Sequence, residues 1–185
     1  MNTPAYIPQP SGLEIDWFVL AACNGHNEEI IRLLSQCGKA LIDKENKEGW
    51  TALQYASQIG HTGTVELLLK NGADINKQNN GGWTALMEAA CYGFQETVAL
   101  LLEKGADINA KGAISGSTAL CIARQNKFSQ IAALLEQWPE KQLQRKEEKH
   151  ATERAAIKKI ILGGLVRPIP YKGPFKLPRP PSQGN

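Results

Sequence analysis

Two blocks of this chain recur at one fixed interval, and that interval restricts the folds open to it. Gly49-Trp50-Thr51-Ala52-Leu53 returns as Gly82-Trp83-Thr84-Ala85-Leu86, 33 residues later. The ten residues Leu67 to Asn76 return at the same interval as Leu100 to Asn109, with Leu-Leu-Leu and Gly-Ala-Asp-Ile-Asn unchanged. A period in the range of roughly 20–50 residues marks an architecture of stacked units. Each such unit cannot bury its apolar face alone and covers its neighbour's instead.

Within each unit the pattern is helix, glycine turn, helix, loop. Thr51 is placed to cap a helix over Ala52–Ile59, because a threonine hydroxyl can accept an orphan backbone N–H. Gly60 supplies the turn, Thr64 to Asn71 form the second helix with Val65, Leu67, Leu68 and Leu69 as its apolar stripe, and Gly72 stops it. The unit from 79 to 111 repeats this with Thr84, Gly93, Val98, Leu100 to Leu102 and Gly105. Before these lies a diverged unit, 12–45, in which Asp16 is expected to cap a helix from Trp17 to Asn24 and a second helix spans Asn27 to Ser35. After them, in 112–138, Thr118-Ala119-Leu120 and Leu134-Leu135 keep the frame, one residue late. There Lys127 stands where the turn glycine should be, so that turn is expected to be strained or rebuilt.

These residues resemble the ankyrin repeat: a glycine, Thr-x-Leu opening a first helix, Ala-Ala, a glycine turn, a Leu-Leu second helix and Gly-Ala-Asp-x-Asn entering a hairpin loop. The resemblance covers about residues 13–138 and implies an all-α fold. Its expected form is a solenoid of about four helix-turn-helix units (12–45, 46–78, 79–111 and 112–138) with projecting hairpins. Two departures stand out. Ala52, Ala85 and Ala119 replace the family's proline, and Gln54, Met87 and Cys121 replace its histidine. The second loss is expected to remove a hydrogen bond typical of the family.

Outside the repeats the composition changes. Residues 1–11 hold three prolines and are expected to form a loose lead. Residues 139–163 are rich in Lys, Glu, Arg, Gln and Ala, good helix formers, and predict one further charged helix ending at Gly163-Gly164. Residues 164–185 hold six prolines, four bases and no acid, a composition that cannot order itself alone. Charge is split in the same way. Up to Trp138 there are 10 Lys/Arg against 14 Asp/Glu, and from Pro139 onward 11 against 4.

Several classes lose support. No apolar run approaches the roughly 18 residues of a membrane span, and Met1 to Pro10 lack signal-peptide order, so a cytoplasmic protein is expected, with a nuclear or secreted effector as alternatives. Cys23, Cys37, Cys91 and Cys121 form no CxxC or Cys/His spacing, so reduced thiols are expected and no metal. Gly81-Gly82 precede no lysine of a phosphate loop, and no Ser/His/Asp or Cys/His arrangement emerges, so no cofactor and no enzyme are expected. His26 and His61 fall in turns, and Asp74 and Asp107 repeat with the loop frame.

The resemblance implies a binding module that receives a protein partner on its hairpin tips and first helices. Spacing of three and four residues picks out matching stripes beside the buried set. They are Tyr55, Gln58 and Ile59, then Glu88, Cys91 and Tyr92, then Ile122, Gln125 and Asn126. Trp50 and Trp83 precede the capping threonines, a position that the resemblance implies faces the partner. Aromatic residues concentrate interface energy, so these Trp and Tyr residues are the expected anchors. Each Trp leaning on the next hairpin is the alternative. A monomeric adaptor is the leading expectation. The tail adds Pro178-Arg179-Pro180-Pro181, a PxxP pattern for an SH3-type groove, and enough charge for an anionic partner; a nucleic-acid or membrane-associated regulator is the second class.

Overall fold

The computed structural model describes residues 11–113 and 116–162, with side-chain environments through residue 158. The expectations for residues 1–10, for the tail 164–185 and for a stop at Gly163-Gly164 lie outside the described residues. Among the described residues there are eight α-helices, one short 3-10 helix and no strand. They come in pairs: α1 (Gly12–Cys23) with α2 (Asn27–Cys37), α3 (Ala52–Ile59) with α4 (Thr62–Lys70), and α5 (Ala85–Tyr92) with α6 (Gln95–Glu103). Last come α7 (Ala119–Gln125) and the start of α8 (Ser129–Leu162). Contacts divide the chain into two units, Met1–Lys141 and Gln142–Asn185. None of the described helices is long and apolar enough to cross a membrane.

In the first unit the leading helices form a row, α1 on α3, α3 on α5 and α5 on α7, and α4 packs on α6. One continuous core results. Leu53, Leu68, Leu86, Leu101, Leu102, Ile131 and Leu135 are fully buried in it. Each such side chain stabilises the fold by about 1.5–3 kcal/mol relative to exposure. Because every unit touches only its neighbours, stability accumulates interface by interface.

The α1 N-terminus differs from expectation. Ser11, not Asp16, caps it, through a reciprocal box in which Ser11 Oγ accepts from the Glu14 N–H and the Glu14 carboxylate accepts from the Ser11 N–H. Asp16 sits inside the helix and pairs with Lys47 at 3.6 Å. α2 runs two residues past Ser35 to Cys37, and α4 spans Thr62–Lys70 rather than Thr64 to Asn71. α8 begins at Ser129 and passes through Pro139 without a break. Ile131, Ala132, Leu135 and Trp138 of its first part are core residues.

Turn geometry explains how the units dock. Gly60 and Gly93 have left-handed backbone, φ 80° and 85°. A Cβ on Gly60 would lie 2.3 Å from the Phe94 ring, and one on Gly93 would lie 2.6 Å from the Phe128 ring. The residue just before each second helix thus covers the previous unit's turn, and only glycine leaves room. His61 does the same over Gly25, its ring 3.4 Å from where a Cβ would stand. Lys127, at the last turn, keeps the left-handed backbone with φ 62° although it is not glycine. The strained form of that turn is the one adopted.

The family's missing histidine bond is also replaced. Gln54 Nε2 donates to the Lys77 carbonyl at 2.9 Å and the Trp83 carbonyl at 3.0 Å, and its Oε1 accepts from the Thr51 N–H. The expected loss therefore does not occur at this unit: one buried amide ties α3 to the next hairpin. At the equivalent site Met87 is simply buried, and Gln78 Nε2 to the Lys111 carbonyl and Ala113 N–H to the Gly81 carbonyl join the hairpins instead.

Candidate partner-binding site

Trp50 and Trp83 are each set by an asparagine four residues earlier. Asn46 Oδ1 accepts from the N–H groups of Glu48 and Trp50, and Asn79 Oδ1 accepts from those of Gly81 and Trp83, all at 2.9–3.0 Å. The backbone closes the same turns, Asn46 N–H to the Trp50 carbonyl and Asn79 N–H to the Trp83 carbonyl. An Asn side chain that bonds the main chain two residues on is a turn device in its own right. The two hairpins therefore share one backbone turn and carry Trp50 and Trp83 at matching positions of successive units.

A depression of about 360 Å³ opens between these hairpins and the helices behind them. It is lined by Trp50, Gln58, Asn79, Asn80, Gly81, Trp83, Glu88, Cys91 and Tyr92. Six of the eleven residues singled out in the sequence meet there, drawn from two hairpins and from α3 and α5. Gln58 Nε2 donates to the Tyr92 hydroxyl at 3.2 Å, joining the stripes of adjacent units. Tyr55 does not reach this depression. It packs against Trp50, ring centroids 4.8 Å apart and tilted by 40°, and donates to Glu48 Oε2 at 2.7 Å. Its other side lines a second depression of about 380 Å³ with Asp16, Leu20, Asn46 and Glu48 among the walls.

The remaining residues of the stripes divide. Ile59 is 42% exposed and Tyr92 52%, so both offer apolar surface. Gln125 and Asn126 are exposed, and Asn126 Nδ2 donates to the Cys91 carbonyl at 2.9 Å. Ile122 is not part of any exposed strip: it is 4% exposed and belongs to the core. The reason is the row of first helices. α5 lies between α3 and α7, so the inner edge of its stripe is covered from both sides, and α7 repeats that geometry with an apolar residue.

Glu88 occupies the same covered position, at 2% exposure. Among the described residues no donor or cation meets its carboxylate, and burial pushes its pKa up to about 7. Yet no sealed side-chain oxygen lacks a partner among the described residues, so the carboxylate oxygens stay open to the depression they line. Cys91 is raised too, mainly by burial, with the Asn126 bond opposing. All four cysteines are free thiols. Asp74 and Asp107 accept the N–H groups of Asn76 and Asn109 in their own loops. Asn46, Asn79, Asn80 and Gly81 were not singled out from sequence, although the Asn-x-x-Gly-Trp spacing recurs at 33 residues and carries the turn.

The repeated hairpins and paired helices have a counterpart among known proteins. A family model described as ankyrin repeats (3 copies) matches residues 18–112, just over half of the sequence. The chain belongs to the ankyrin repeat family. The mouse (Mus musculus) fibronectin type 3 and ankyrin repeat domains 1 protein is 38% identical over 53 residues, which is 29% of this chain. The chain spans only 15% of that relative's length in the match. Ankyrin repeats are in general protein-interaction modules rather than enzymes.

Proposed function

We propose that this ankyrin repeat protein is a non-enzymatic adaptor that binds a protein partner across the hairpin and first-helix face of its second and third units. The observation that carries the reading is the convergence of Trp50, Trp83 and Tyr92 on one depression. Aromatic side chains on neighbouring rigid elements are where interface energy concentrates. Exposed Ile59 and the neighbouring depression beside Tyr55 extend the same face. A footprint of about 800 Å² per side would suffice for specific association.

The test is a crosslinking pull-down that compares the full chain with a Trp50→Ala/Trp83→Ala variant and with Glu96→Lys, a change at an exposed position of α6. Loss of the same captured protein with the first variant alone supports the adaptor reading. Unchanged capture by the Trp variant, together with a lowered melting temperature, assigns both rings to packing.

A further inference from the structure

The depression between the second and third units has a floor unlike an ordinary apolar groove. A buried carboxylate without an ionic or hydrogen-bonding partner among the described residues shares the depression with two indoles and a phenol. Burying a charge or a polar group without a partner costs free energy, and a native fold retains such a group where something else meets it. Aromatic faces carry partial negative charge and attract cations, most strongly those whose charge is spread over methyl groups. Glu88 adds a full negative charge at the same place. Nothing cationic lines the cavity: its other walls are Gln58, Asn79, Asn80, Gly81 and Cys91. The charge pattern is therefore complementary to a cation and opposed to an anion.

We propose that this depression is a cage for an alkylammonium group, the methylated lysine side chain of a partner peptide, with Trp50, Trp83 and Tyr92 as walls and Glu88 as counter-ion. Methylation suits the site. It keeps the charge while replacing N–H donors, for which the rings offer no acceptor, by apolar contact. Mono- and dimethyl forms retain an N–H for the Glu88 carboxylate, which favours them over the trimethyl form. The proposal rests on the adaptor reading and names the group that the adaptor recognises.

Glu88 also ties recognition to pH. Other titratable groups near it are few. Cys91 and Tyr92 share its cavity and its helix; α3 contributes only Tyr55, bonded to Glu48. α6 carries Glu96 and Glu103, both exposed, and α7 carries Cys121 and Arg124, the latter paired with Glu136 at 2.6 Å. None of the groups on α3, α6 and α7 lines the depression. Binding of the cation is therefore expected to tighten about tenfold between pH 6 and pH 8 as Glu88 loses its proton.

The test is titration of N-acetyl-dimethyllysine methylamide into the ¹⁵N-labelled full chain, followed by the Trp50 and Trp83 indole N–H resonances. Saturable shifts are expected at pH 8, with none from the neutral acetyl-lysine analogue. Glu88→Gln should weaken binding at least tenfold while holding or raising the melting temperature, so that unfolding does not explain the loss. Equal shifts from the acetyl analogue, or no shifts at millimolar probe, overturn the cage. Tetramethylammonium ion separates the sources. If it binds tighter than the lysine derivative, and a dimethyllysine nonapeptide gains nothing over the single residue, the ligand is a free amine rather than a peptide. A working cage with no protein captured in the crosslinking experiment would refute the adaptor and spare the cation site; the reverse pattern would do the opposite.

Discussion

Glu88 is the side chain on which stability and recognition conflict. Its folded pKa of about 7 lies above the ordinary 4.5, so between those values the native state holds a proton that the unfolded chain has released. The stabilisation is fully present below pH 4.5 and is lost as pH rises through 7. Glu88→Gln should therefore stabilise the protein by about 3 kcal/mol at pH 8 and by almost nothing at pH 4.5, in urea melts at the two values. A destabilising change at pH 8 would mean that an unseen donor holds the carboxylate. Gln54 shows the opposite economy, a buried polar side chain with every bond satisfied. Gln54→Leu removes the tie to the next hairpin and should cost about 2 kcal/mol in the same assay. Lys127 carries a side chain on left-handed backbone, φ 62°, and Lys127→Gly should raise stability by about 1 kcal/mol.

At the level of helices and turns, the fold depends on rings seated over glycines. Gly60→Ala would put a methyl into the Phe94 ring as well as on left-handed backbone, and should cost more than about 2 kcal/mol. A Cβ on Gly63, in the first turn of α4, would meet only the Asn27 side-chain amide at 3.9 Å, an ordinary contact, so Gly63→Ala should instead stabilise by about 0.5 kcal/mol. Thermal unfolding of the two variants side by side checks the contrast. How far the elements were legible in sequence follows the same physics. α3 and α5 could be bounded from Thr51, Gly60, Thr84 and Gly93 because cap and stop are local chemistry. α1 starts about a turn before Asp16 because Ser11-Gly12-Leu13-Glu14 is a local capping box, which lies outside the frame of the later repeats. α8 was cut at Pro139 because proline opposes helix in isolation, whereas Trp138 and Leu135 are held in the core and carry the helix past it. The face of Glu88 was legible but not its burial. Three- and four-residue spacing locates a stripe on one helix, and only the neighbours α3 and α7 decide which edge they cover. Aromatic Tyr55 and apolar Ile122, at matching positions, were the available hint.

Across the whole repeat block, function is attributed to what stacking places side by side rather than to any single unit. One hairpin offers one indole. Two hairpins in register, tied by Gln54 and by the Gln58–Tyr92 bond, offer a walled depression. Loosening the register should therefore weaken binding even where no contacting residue is changed, and Gln54→Leu should lower partner affinity as well as stability. The most direct test of this account is hydrogen–deuterium exchange on the full chain with and without its captured partner. Protection is expected to fall together on residues 46–50, 55–59, 79–83 and 88–92, the two hairpins and the first helices behind them. Protection confined to α4 and α6, or to residues 142–162, would contradict it.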